Sequence, residues 1–181
     1  MSDNKRKNSE HDMIYIGFFV DKTELEEILK KVTGHSFSLE KPIEFPHVTT
    51  EFRPRVVNKQ LFGSEVKIVI DGYSKDDKNE GFRVTLESDD FDLKKEILKT
   101  QYVGHVPHIT LSVSSDGKPV DTVNLKFEDI EPVEIVGKFG AFKKNGTVAL
   151  SVPAIDADIQ RKLKELDSPK YDFDKDIEFG D

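Results

Sequence analysis

Two of the five histidines stand in the same setting. Phe45-Pro46-His47-Val48-Thr49 and Val106-Pro107-His108-Ile109-Thr110 both read apolar residue, proline, histidine, β-branched apolar residue, threonine. A recurrence of that specificity points to an internal repeat rather than to chance. The chemistry it offers is acid–base work on a phosphate. A neutral imidazole takes a proton from an attacking water or hydroxyl, and a protonated one gives a proton to a leaving oxygen, both near neutral pH. Threonine hydroxyls are short, stiffly held donors suited to phosphate oxygens. The chain has no cysteine, which removes disulfides, thiolate nucleophiles and cysteine-ligated metal sites.

The spacing has a geometric meaning if each motif is a strand, because residues i and i+2 then share a face. Strand parity places His47, Thr49, Glu51 and Arg53 on one face and Val48, Thr50 and Phe52 on the other. The second copy places His108, Thr110, Ser112 and Ser114 against Ile109, Leu111 and Val113. His47 and His108 are the expected catalytic pair, with Thr49 and Thr110 holding the phosphate. Arg53 is a further candidate for a substrate phosphate and Glu51 for orienting an imidazole, unless the two form a strand-end ion pair. Ser112 is either one more donor to the substrate or a plain surface serine. Tyr15 shares a parity with Gly17 and Phe19, so its ring is placed to stack a base; Phe19 reads better as a buried residue. Lys143 and Lys144 either rim the site or keep a turn soluble. His105, three residues before His108, reads as a loop residue rather than a third catalytic group, His11 and His35 read as incidental, and no carboxylate–histidine cluster has a recognisable ligand spacing, so no metal or cofactor is expected.

The elements that must position these residues can be read from periodicity. Residues 1–12 are polar and aperiodic and read as a disordered start. Ile14–Val20 is an apolar run of strand length. Asp21 then offers an N-cap for a helix whose Leu25, Ile28, Leu29 and Val32 recur at helical spacing until Gly34. Further strands are expected at His47–Arg53, Glu65–Gly72, Phe82–Glu87, His108–Val113, Asn124–Phe127, Val133–Phe142 and Thr147–Val152. A second helix is expected over Asp92–Gln101, with Leu93, Ile97 and Leu98 as its apolar side. Asn145-Gly146 marks a hairpin turn between the last two strands. Residues 13–155 therefore read as one domain, and 156–181 as a short helix and an acidic tail.

Charge narrows the partners. The chain carries 27 Lys and Arg against 35 Asp and Glu, a formal net charge of −8, which argues against an all-over grip on duplex DNA and leaves room for a local basic site. The segment Asp156–Asp181 holds nine of the acidic and five of the basic residues, so half of the excess sits in the tail. The longest apolar run, Ile14–Val20, falls far short of the roughly 20 residues that span a bilayer. No leader or membrane anchor is expected, and a cytoplasmic monomer is.

With both motifs in view, the sequence resembles the two-histidine (2H) phosphoesterase superfamily, whose members carry two His-apolar-Thr/Ser-apolar motifs. Here these are His47-Val48-Thr49 and His108-Ile109-Thr110, and the likeness covers Ile14–Val152. Thr50 stands where an apolar residue is usual, a subfamily variation. The resemblance implies an α+β fold of two pseudo-symmetric lobes, each a small, mainly antiparallel sheet with an outer helix, around a central cleft. It also implies metal-independent hydrolysis of a cyclic or 2′-linked phosphodiester of an RNA end or nucleotide, with a 2′,3′-cyclic phosphate foremost. The alternatives are a nuclease that destroys cyclic oligonucleotide second messengers, and a binding module that holds a nucleotide or RNA end without turning it over. A zinc protein would announce itself by bound metal.

Overall fold

The computed structural model describes residues 12–101 and 105–151. The expected C-terminal helix and acidic tail, and nearly all of the N-terminal segment, lie outside the described residues. The architecture is α+β. Among the described residues eight strands and two α-helices follow one another as β1 (Met13–Phe19), α1 (Lys22–Thr33), β2 (Lys41–Pro42), β3 (His47–Phe52), β4 (Glu65–Lys75), β5 (Asn79–Glu87), α2 (Phe91–Lys99), β6 (His108–Val113), β7 (Glu128–Lys143) and β8 (Val148–Ala149).

All strand pairs are antiparallel, in the order β2-β6-β5-β4-β7-β1-β3, with β8 added on β7. The expected two small sheets are corrected in one respect. The strands form a single hydrogen-bonded sheet, because β4 and β7 pair from Glu65–Lys138 to Tyr73–Glu128 and join the two halves.

The helices form where the apolar spacing and the caps agree. Asp21 is the N-cap of α1 without a side-chain bond, and Gly34 ends the helix at φ +83°, donating its N–H to the Lys30 carbonyl, the left-handed stop that glycine adopts without a Cβ penalty. Asp90 caps α2, its Oδ1 accepting from the Leu93 N–H at 2.9 Å. The buried faces of the two helices, Leu25, Ile28 and Leu29 with Leu93 and Ile97, join Phe18, Val48, Ile68, Phe82, Ile109 and Phe139 of the strands in one core. Burying each such side chain is worth roughly 1.5–3 kcal/mol. Leu98, expected on the apolar side of α2, is instead 66% exposed.

Two other expectations change. Asn124–Phe127 is not a strand: a short 3-10 helix, Pro119–Asn124, precedes β7 there, begun by a proline whose fixed φ and missing N–H suit a first helical turn. The hairpin between β7 and β8 does form. The Gly146 N–H bonds the Lys143 carbonyl and the Lys143 N–H bonds the Thr147 carbonyl, both at 2.9 Å, with Gly146 at φ +84°, which is a type I turn closed by a left-handed glycine.

Single-residue bulges bend the sheet, one of them at Ile14 of β1 opposite β7. Thr50 is the extra residue of β3 opposite Ile16 and Gly17, Leu111 that of β6 opposite Glu80 and Gly81, and Asp71 that of β4 beside β5. Bulges bend a strand and increase its twist. Although β3 ends the sheet on one side and β6 lies next to its other end, Cα atoms of the two motif strands come within 8 Å of each other.

Candidate active site

Each motif histidine is the first residue of its strand, directly after a proline. Proline lacks an N–H and holds the preceding residue extended. In both copies the carbonyl two residues before the histidine then meets the ring. His47 Nδ1 lies 2.9 Å from the Phe45 carbonyl and His108 Nδ1 2.9 Å from the Val106 carbonyl. A carbonyl only accepts, so Nδ1 carries the proton of each neutral ring and Nε2 is left with its lone pair. The proline in the motif thus has a structural reason: it sets the tautomer.

The partner strands repeat as well. Phe19, Phe18 and Gly17 of β1 face His47, Val48 and Thr49, while Arg83, Phe82 and Gly81 of β5 face His108, Ile109 and Thr110, and a bulge follows at once in each pair. Both glycines are required by close approach. A Cβ on Gly17 would lie 2.4 Å from the Val48 carbonyl oxygen, and one on Gly81 would lie 2.5 Å from Thr122 Cγ2 and 3.0 Å from the Ile109 carbonyl oxygen.

The surroundings of the two rings differ. His47 stacks on Tyr15, with centroids 4.3 Å apart at 23°, and packs against Phe19 at 5.3 Å; Tyr15 stacks in turn on Phe142 at 5.2 Å. The Tyr15 hydroxyl oxygen is 3.3 Å from His47 Nδ1. Burial pushes the His47 imidazole down to about 4, against the opposing pull of the Phe45 carbonyl and with added repulsion from a charge on His108. Burial also raises the Tyr15 phenol, which stays neutral. His108 is held below its usual range by burial first, opposed by the Val106 carbonyl and reinforced by the nearby charge of His105. Desolvation disfavours the charged imidazole in both cases. His105, by sequence a loop residue rather than a third catalytic group, is therefore an electrostatic neighbour of His108.

The two threonines are not equivalent. Thr49 is exposed and its hydroxyl makes no hydrogen bond with a described residue. The Thr110 hydroxyl donates to the Pro119 carbonyl at 3.1 Å and sits 2.8 Å from Thr122 Oγ1. The 3-10 segment thus covers the second motif and leaves the first open.

A bulge moves two of the expected residues off the motif faces. Ser112 follows the Leu111 bulge, is fully buried, and donates to Glu80 Oε1 at 2.8 Å while accepting from the Leu39 N–H at 3.2 Å. Glu80 takes further donors from the Ser38 N–H at 3.0 Å and the Tyr73 hydroxyl at 2.6 Å, so Ser112 belongs to a satisfied buried carboxylate. Arg53 falls outside β3, beyond the Thr50 bulge, at φ +50°, with its guanidinium carbon 5.2 Å from the Phe52 ring centroid. Strand parity no longer applies to it. Phe52, expected among the apolar residues, is 60% exposed. Glu51 pairs with Lys99 at 3.5 Å rather than with a histidine or Arg53.

Arg83 is the neighbour that sequence reasoning missed. It stands directly opposite His108 and is held by Asp71 Oδ1 at 2.8 Å and Asp129 Oδ1 at 2.6 Å, which raise its guanidinium further above its ordinary value. The Gly81-Phe82 dipeptide, repeating Gly17-Phe18 upstream of the second motif, was the available signal.

Among the described residues no group of three His, Asp or Glu side chains is placed to hold a metal ion, and no helix is long and apolar enough to cross a membrane. A concavity of about 810 Å³ lined by Lys67, Leu86, Glu87, Lys94, Ile97 and Leu98 contains none of the motif residues. No family model matches this chain, and no curated protein matches it either.

Proposed function

We propose that the protein is a metal-independent phosphodiesterase of the 2H type, opening a cyclic or 2′-linked phosphodiester, foremost the 2′,3′-cyclic phosphate of a nucleotide or RNA end. The observation that carries this reading is the matched pair of imidazoles: each has Nδ1 on the carbonyl two residues back and Nε2 without a hydrogen bond to a described residue, and a charge on His108 is felt by His47. Read outward from the β4–β7 pair, both halves run through a strand bearing Gly-Phe to a motif strand, with a helix on the connection. That order supports the pseudo-symmetric, two-lobed arrangement with a cleft between the motifs.

In the proposed reaction a water attacks phosphorus and gives its proton to the imidazole that is neutral at working pH, while the other imidazole protonates the leaving ribose oxygen. The stronger depression lies on His47, which takes the base role; His108 takes the acid role. Thr49 holds a non-bridging oxygen, and Thr110 fixes the strand beside His108. The pH profile of kcat/KM then rises near 4 and falls again at the His108 value, below 6.5. Measuring it on uridine 2′,3′-cyclic phosphate tests the assignment, since a His47→Ala variant must lose turnover by several orders of magnitude.

A further inference from the structure

One end of the β7–β1–β3 group carries aromatic and basic residues that reach beyond the packing around His47. Phe52, Tyr15 and Phe142 are aligned in register across the three strands, and directly opposed residues share a face. They form an aromatic row on the face that carries His47, and its outer member, Phe52, is 60% exposed. Just beyond it come Arg53 and Arg55, and at the end of β7, beside the start of β1, Lys144. None of these three cations forms an ion pair with a described residue. On a chain of net charge −8, these are cations without an ion-pair partner among the described residues, next to exposed aromatic surface.

The backbone of Arg53 adds a second argument. Among the described residues it is the sole non-glycine at positive φ, +50°. It is held there by its N–H on the Ile14 carbonyl at 2.7 Å, and its guanidinium lies over the Phe52 ring. Glycine adopts this conformation without strain, so arginine at this position costs the fold something that its side chain has to return, and strained residues of this kind gather at binding sites.

We infer that this end of the sheet is a track for single-stranded RNA: a base next to the scissile phosphate stacks on Phe52, the open end of the Phe52–Tyr15–Phe142 row, and the neighbouring phosphates meet Arg53, Arg55 and Lys144. Stacking on aromatic rings beside cations is the general mode of single-strand binding. His47 and Phe52 are five residues apart, roughly 16 Å along a strand, room for more than one nucleotide. The inference deepens the phosphodiesterase reading and rests on it for the position of the scissile phosphate. The substrate is thereby an RNA 3′ end rather than a free cyclic nucleotide.

The test is fluorescence anisotropy of a labelled hexauridylate ending in a 3′-phosphate, titrated with wild type and with the Arg53→Ala, Arg55→Ala double variant at several salt concentrations. The wild type binds, and the double variant binds at least tenfold more weakly. Its log–log salt slope is shallower by about 1.4, following roughly 0.7 per phosphate for single strands. Arg53→Gly weakens binding in the same direction with an unfolding midpoint no lower than wild type, which a purely structural arginine would not do. The ratio of kcat/KM for a hexanucleotide with a cyclic phosphate end over that for uridine 2′,3′-cyclic phosphate falls at least tenfold in the double variant. Wild type that does not bind the hexauridylate, or variants that bind it equally well, overturn the inference. Absence of turnover on both substrates by a wild type that still binds overturns the phosphodiesterase reading instead.

Discussion

Replacing His47 with glutamine should remove a pH dependence of stability whose size follows from the structure. The ring is wedged against Tyr15 and Phe19, and burial lowers it from 6.5 to about 4. Between those values the unfolded chain binds a proton that the folded chain does not. Stability therefore rises with pH across the window and is lost as the pH falls through it. Two and a half units at 1.36 kcal/mol each come to about 3 kcal/mol between pH 7 and pH 4. The carboxylates titrate in the same range, but they do so in both proteins, so the difference between wild type and His47→Gln isolates the imidazole. His108, lowered in the same direction, remains in both. Urea unfolding at half-unit intervals from pH 7.5 to 4 measures it, with wild type losing about 3 kcal/mol more than the variant. Parallel stability curves for the two proteins would refute the claim that His47 is held neutral by its aromatic packing.

Three further outcomes are expected. Ser112→Ala removes a hydroxyl that bridges Glu80 and the Leu39 N–H, so it should cost about 2–3 kcal/mol, or roughly 5–10 °C in Tm, with KM unchanged; a raised KM at unaltered Tm would restore the substrate contact. Gly17→Ala sets a Cβ 2.4 Å from the Val48 carbonyl oxygen and should destabilise by about 1–3 kcal/mol while disturbing Thr49, read from the denaturation midpoint and the kcat of the same preparation. Tyr15→Ala uncovers His47, whose titration by proton NMR should move up toward 6.5 by about one unit or more; an unmoved midpoint would mean that Tyr15 contributes nothing to the burial.

The sequence showed most of what local rules govern. Period-two runs, a helix ended by Gly34 and an Asn-Gly hairpin are each decided by a few neighbouring residues, and the Pro-His-apolar-Thr repeat placed both imidazoles at the heads of strands. Single-residue bulges escaped it, because alternation along Glu51–Arg53 or Leu111–Ser112 reads the same with or without one. Each bulge shifts every later side chain, and so Ser112 turned inward to Glu80 and Arg53 left the strand. Pairing between distant strands escaped it too. The β4–β7 ladder that joins the halves, and the Pro119–Asn124 turn that ties down Thr110, depend on contacts no window along the chain contains. Arg83 lay within reach of sequence reasoning once Gly17-Phe18 was matched to Gly81-Phe82.

The most direct test of the central claim is turnover of a panel of phosphodiesters in EDTA: nucleoside 2′,3′-cyclic phosphates, an RNA ending in a cyclic phosphate, a 2′,5′-linked oligoadenylate and 3′,5′-cyclic dinucleotides, with products resolved by chromatography. The account predicts hydrolysis of a 2′,3′-cyclic phosphate that falls by several orders of magnitude in His47→Ala and equally in His108→Ala. Turnover retained in the double variant, or none by the wild type on any member of the panel, would contradict it.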